Sequence, residues 1–72
     1  MKKDRAINRR IRAVMEIQGL RQRDLARLSG IPYEDLNRIV NDRRPVYAQD
    51  IPPLARSLGV GVEVLLKMGE EE

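Results

Sequence analysis

Glycine and proline cut this chain into pieces the length of short helices. Breakers stand at Gly19, Gly30, Pro32, Pro45, Pro52, Pro53 and Gly59, and between them apolar residues recur at spacings of three and four rather than two. That period belongs to helices with one buried stripe, whereas a half-buried strand would alternate. The chain therefore reads as all-α. Its 72 residues make one compact domain, and a core of that size supplies only about 3–5 kcal/mol. There is no Cys and no His, so disulfides are impossible and the commonest zinc ligands are absent. Close helical packing, self-association or both must hold the fold, and no metal or cofactor is implied.

Five helices are predicted. The first runs from about Asp4, a suitable N-cap, to Ile17. Ile7, Ile11, Val14 and Met15 form its inner stripe, and Arg5, Arg9, Arg12 and Glu16 lie on another face. The second runs from Gln22 to Ser29 with Leu25, Ala26 and Leu28 inward. The third starts near Pro32, which the first turn tolerates, and continues to Val40 with Leu36, Ile39 and Val40 inward. A polar turn, Asn41 to Pro45, follows. The fourth starts at Asp50 or Ile51, so that Pro52 and Pro53 fall in its first turn, and ends at Leu58; Leu54, Ala55 and Leu58 face the core. The fifth covers Val62 to about Lys67, with Val62, Leu65 and Leu66 apolar. Residues 1–68 are then the domain and 69–72 an acidic tail.

Charge is unevenly placed. Up to Arg44 there are twelve Lys/Arg against six Asp/Glu, and from Pro45 onward two against five, so the two parts carry +6 and −3 of the net +3. Eleven of the fourteen basic residues are Arg, the side chain that grips phosphate and guanine bidentately. This raises the prospect of a polyanionic partner without choosing among DNA, RNA and acidic protein. No apolar run approaches the ~20 residues that span a bilayer, and the basic start lacks an apolar signal core, so the expected location is the cytoplasm.

The stretch QRDLARLSGIPYEDLNRIVN, Gln22 to Asn41, meets the demands of two short helices crossing steeply through a tight turn. Ala26 is small where the helices touch. Gly30 adopts the positive φ that the turn needs without a steric penalty. Leu36 and Ile39 anchor one side of the second helix and leave its other side free, and Leu25 and Ile31 fill the crossing.

This stretch resembles the helix-turn-helix of the phage Cro/repressor-type, or XRE-type, DNA-binding proteins. Ile11-Arg12-Ala13-Val14 before Gly19-Leu20 is similar to the family's first helix. Ala55-Arg56-Ser57-Leu58-Gly59-Val60, followed by Val62 to Leu66, is similar to its fourth and fifth. The resemblance covers roughly residues 7 to 66. It implies a compact five-helix, lambda-repressor-like domain that binds double-stranded DNA as a homodimer and regulates transcription, with repression the expected sense.

By the same resemblance Tyr33, Glu34, Asn37 and Arg38 enter the major groove. Their chemistry suits base edges: Arg38 for guanine, Asn37 for adenine, Glu34 for cytosine N4, and Tyr33 for a thymine methyl or a phosphate. Arg21, Gln22 and Arg23 at the start of the second helix, and Asn41, Arg43 and Arg44 after the third, are the implied contacts to the DNA backbone. Tyr47, Val60, Val62, Val64 and Met68, beside Pro45, are the candidate dimer interface, the alternative being that some of them complete the monomer core. Glu34 and Asp35 suit the positive end of the helix dipole, yet they face a polyanion. They should lower non-specific affinity, or demand cytosine or a bridging cation.

One departure from the family stands out. Many phage members pair an Arg in the first helix with a Glu at the end of the third. The matching positions here are Met15 and Val40, two apolar residues that would pack together and leave no charge unpaired.

Other function classes fare worse. Without His, Cys, a phosphate-binding glycine loop or a metal cluster, no catalytic set can be assembled, and an enzyme is not expected. Sequence-specific RNA modules usually stack bases on aromatics, and Tyr33 and Tyr47 are the only aromatic residues. The main alternative is an antitoxin-like or accessory domain that holds a protein partner. It is motivated by the acidic start of the third helix and the apolar C-terminal segment.

Overall fold

The helix ends follow the breakers. Helix α1 spans Ala6–Gln18, α2 Gln22–Ser29, α3 Tyr33–Val40, α4 Ile51–Leu58 and α5 Val62–Leu66, with a 3-10 turn, Ala48–Asp50, leading into α4. The computed structural model describes residues 5–66. Among them there is no strand, and no helix is long and apolar enough to cross a membrane. Asp4 and Lys67 lie outside the described residues, as do Met68 and residues 69–72. The residue before α1 is Arg5, which makes no side-chain cap. Pro52 and Pro53 sit in the first turn of α4, where two missing N–H groups leave no helical bond unmade.

The core draws on every helix. Ile11 and Met15 of α1, Leu25 of α2, Leu36, Ile39 and Val40 of α3, Leu54, Ala55 and Leu58 of α4, Leu65 of α5 and Ile31 of the α2–α3 turn are buried together. Each fully buried Leu or Ile removes enough apolar surface to contribute about 1.5–3 kcal/mol before entropy is counted. Ile7, Val14, Leu20, Ala26, Val46, Ile51 and Val60 close over this cluster from the side. Met15 and Val40 are only 5% and 8% exposed. They line one cleft together with Leu20, Arg12 and Glu16.

Leu28 is a correction. It was expected to face inward with Leu25 and Ala26, but it is 51% exposed. Two residues along a helix turn the side chain by about 200°, so Ala26 and Leu28 point nearly oppositely. Helix α2 packs its Leu25–Ala26 side against α3 and α4, and among the described residues Leu28 is left uncovered.

Helix α1 also ties down the C-terminal helices. Gln18 Nε2 donates to Leu58 O at 2.6 Å, and an Arg10 guanidinium N–H donates to Leu65 O at 3.2 Å. Carbonyls near the C-terminus of a helix lack intrahelical donors, so two side chains of α1 serve the last turns of α4 and α5.

Candidate nucleic-acid interface

Between α2 and α3 the chain turns at Gly30, whose φ of 80° is open to glycine at little steric penalty. The Ile31 N–H donates to Ser29 Oγ at 3.2 Å and firms the turn. Leu36 and Ile39, both 0% exposed, then lock α3 by one side. That fixes which residues its other side presents. Tyr33, Glu34 and Arg38 are exposed, and Asn37 is half-buried. Glu34 and Asp35 occupy the first turn of α3, where the helix dipole favours carboxylates.

These side chains are not equally free. An Arg38 guanidinium N–H donates to Asp35 Oδ1 at 3.0 Å, one turn back along α3. The second expected liability, Asp35, therefore has a partner on its own helix. Asn37 Nδ2 donates to Gln22 Oε1 at 2.9 Å and so links α3 to the first residue of α2. Arg21, Gln22, Arg23, Ala26 and Tyr33 line an open groove of about 620 Å³ at that junction. Arg21 and Arg23 are exposed on its rim.

The flank after α3 is built differently. Asn41 turns its amide back, with Nδ2 donating to Asn37 O at 2.9 Å. Asp42 takes a φ of 57°, a left-handed conformation that short polar side chains tolerate. Arg5 of the segment before α1 holds it there by donating to Asp42 Oδ1 at 2.9 Å and to Asp42 O at 3.2 Å. Asn8 of α1 donates through Nδ2 to Ile39 O at 2.9 Å and to Arg44 O at 3.0 Å.

The loop so bonded leaves Arg43 exposed and draws Arg44 inward. The Arg44 side chain is 16% exposed. Its guanidinium donates to Asp50 Oδ2 at 3.3 Å and to Pro45 O at 2.7 Å, and lies 4.8 Å from the centre of the Tyr47 ring. Of the six expected DNA-backbone residues, Arg21, Arg23 and Arg43 thus present free-standing charge. Gln22 is half-buried at the groove, Asn41 folds back on α3, and Arg44 is committed to the protein.

Sequence reasoning placed Arg5 on an outer face and overlooked Asn8. A signal for Asn8 exists: positions 8, 11 and 15 are spaced by three and four, so Asn8 lies on the same stripe as Ile11 and Met15. An amide on a buried stripe needs partners; its NH₂ finds Ile39 O in the last turn of α3 and Arg44 O in the loop, while among the described residues its Oδ1 is buried without one.

The expected dimer residues are placed as follows. Tyr47 is 51% and Val62 38% exposed. Val64 is half-buried, and Val60 is half-buried against the core. Met68 lies outside the described residues. Among the described residues no group of three or more acidic, His or Cys side chains could hold a metal ion.

Comparison with known proteins bears on the family and the fold. Residues 10–70 match the family model for the Cro/C1-type HTH DNA-binding domain. Among solved structures the chain is similar to the restriction-modification controller protein C.AhdI from Aeromonas hydrophila. The TM-score is 0.77 and the identity 28%, over 83% of this chain and 91% of that one. No curated protein matches it.

Proposed function

Because the chain belongs to the Cro/C1-type helix-turn-helix DNA-binding family, we propose that it is a sequence-specific transcription regulator whose α3 enters the major groove of an operator. The likeness to a controller protein supports a regulatory use. One observation carries the reading: α3 is locked by Leu36 and Ile39 so that Tyr33, Glu34 and Arg38 face outward, and exposed Arg21, Arg23 and Arg43 stand on its two flanks. The base-reading group is Tyr33, Glu34 and Arg38; the arginines on either side set position by gripping phosphates. The protein acts as a binding module in the cytoplasm, without catalytic chemistry.

One such domain spans too few base pairs for a selective site, and two related by a dyad read half-sites about one helical turn apart. A homodimer through Tyr47, Val62 and Val64, with repression by occupancy of the operator, is the form that follows. Light scattering that finds only monomer at high concentration overturns that interface.

The direct test is a titration with duplex DNA at several salt concentrations. Three exposed flanking arginines per protomer make about six phosphate contacts in a dimer, so log K should fall against log salt with a slope near −5. Absent or salt-independent binding at low salt overturns the proposal in favour of a protein partner.

A further inference from the structure

Pairing Asn37 with adenine requires its carbonyl oxygen and one N–H to be free on a shared edge. One N–H and one lone pair of its amide are already committed within the protein, and they fix how it is turned. Nδ2 donates to Gln22 Oε1 at 2.9 Å, Oδ1 accepts from Asn41 Nδ2 at 3.3 Å, and the residue is half-buried. The bond from Asn41 decides which end of Asn37 turns toward α2: the oxygen faces Asn41, so the N–H faces Gln22.

That orientation passes to Gln22. A glutamine amide has a donor end and an acceptor end, and only the donor end attracts a phosphate. Left alone, the amide can present either. The Asn37 N–H binds only the acceptor end, so it holds Oε1 inward and leaves the Gln22 NH₂ for the groove between Arg21, Arg23 and Tyr33. We infer that Asn37 is a positioning residue that orients the Gln22 amide toward a DNA phosphate and does not itself read a base. Its contribution to binding is therefore independent of sequence, although it sits on the reading helix between Glu34 and Arg38. This assignment rests on the DNA-binding reading.

The test uses the full chain, a duplex that the wild-type protein selects from a random pool, and every single-base-pair variant of that duplex. Asn37→Ala is expected to weaken binding about fivefold per protomer, the scale of one hydrogen bond, by the same factor on every duplex and with their ranking unchanged. Gln22→Ala should do the same, and adding Asn37→Ala to it should have no further effect. Asn37→Asp, which offers Gln22 only acceptors and so turns its NH₂ inward, should weaken binding at least as much as Asn37→Ala. Circular dichroism confirms that each variant is folded.

A selective loss at one base pair makes Asn37 a base reader and overturns the assignment. So does a loss that persists undiminished in the Gln22→Ala background, since a merely structural role would not depend on Gln22. An Asn37→Ala variant that binds like wild type overturns it too. If the wild-type protein selects no duplex, the DNA-binding reading falls and takes this assignment with it.

Discussion

Polar side chains are used in two opposite ways on this small domain. In the seam between α1 and the loop at 41–47, Arg5 and Asn8 reach across to the last turn of α3 and the loop, Arg44 folds onto Pro45 O and the Asp50 carboxylate, and all three are buried or half-buried. On the α2–α3 face, Arg21, Arg23 and Arg43 stand exposed. Arg43 and Arg44 are neighbours in sequence and fall on opposite sides of this divide. The difference teaches that arginine content alone does not locate a nucleic-acid surface. What matters is which guanidinium groups the fold has already satisfied, because only the others are available to phosphate.

The contrast is broken hardest where α1 meets α3. Val40→Glu puts a carboxylate into the cleft beside Met15 and should lower stability by about 3 kcal/mol in urea unfolding. Adding Met15→Arg supplies the missing partner and should recover part of that loss. Plain additivity of the two changes would reject the pairing. Asn8→Ala comes next. It removes the donor to Arg44 O and one of the two donors to Ile39 O, which still accepts from the Asp42 N–H, and should cost about 2 kcal/mol, the scale of two hydrogen bonds. An unchanged unfolding midpoint would mean that the seam does not hold the loop.

The fold was legible wherever spacing and breakers act locally. Gly30, Ala26, Leu36 and Ile39 carry the helix-turn-helix in the sequence itself, and Pro52-Pro53 marks the first turn of α4. Leu28 misled because an apolar residue near two others suggests a shared face, and only the placement of α3 and α4 shows which side of α2 is covered. The interface was half legible. On α3 the exposed set, Tyr33, Glu34 and Arg38, follows from which side of that helix is greasy, and Arg21, Arg23 and Arg43 are exposed on its flanks. The withdrawal of Arg44 does not. It depends on the 3-10 turn that brings Asp50 back beside it, a contact no local pattern announces. Asn37 likewise reads as an outward amide until Gln22 is seen on the neighbouring helix.

Neighbouring arginines give the sharpest test of the divide. Arg43→Ala should leave stability within about 0.5 kcal/mol, as exposed substitutions usually do, while it weakens binding to all duplexes and reduces the salt slope by about one per protomer. Arg44→Ala should do the reverse. It leaves Asp50, 8% exposed, without its ion-pair partner and should destabilise by about 1–2 kcal/mol, with the salt slope unchanged. Equal effects of the two on the slope would erase the distinction between seam and face.

The smallest expected effect lies on the reading face itself. Glu34 is exposed in the first turn of α3, where its charge gains about 0.3–1 kcal/mol from the helix dipole, yet in the proposed complex it would face the phosphates. Glu34→Gln should therefore lower stability by a few tenths of a kcal/mol while binding to unrelated duplex tightens about two- to threefold, since one repulsive charge per protomer is gone. If the carboxylate accepts from cytosine N4, the same substitution should flatten preference at one base pair of the selected duplex. The two readouts separate its roles. Tighter non-specific binding with preference intact makes Glu34 a charge brake on misplaced binding, whereas preference lost at one position makes it a reader. Weaker binding to every duplex would contradict both, and would mean that the first turn of α3 is not directed at the DNA.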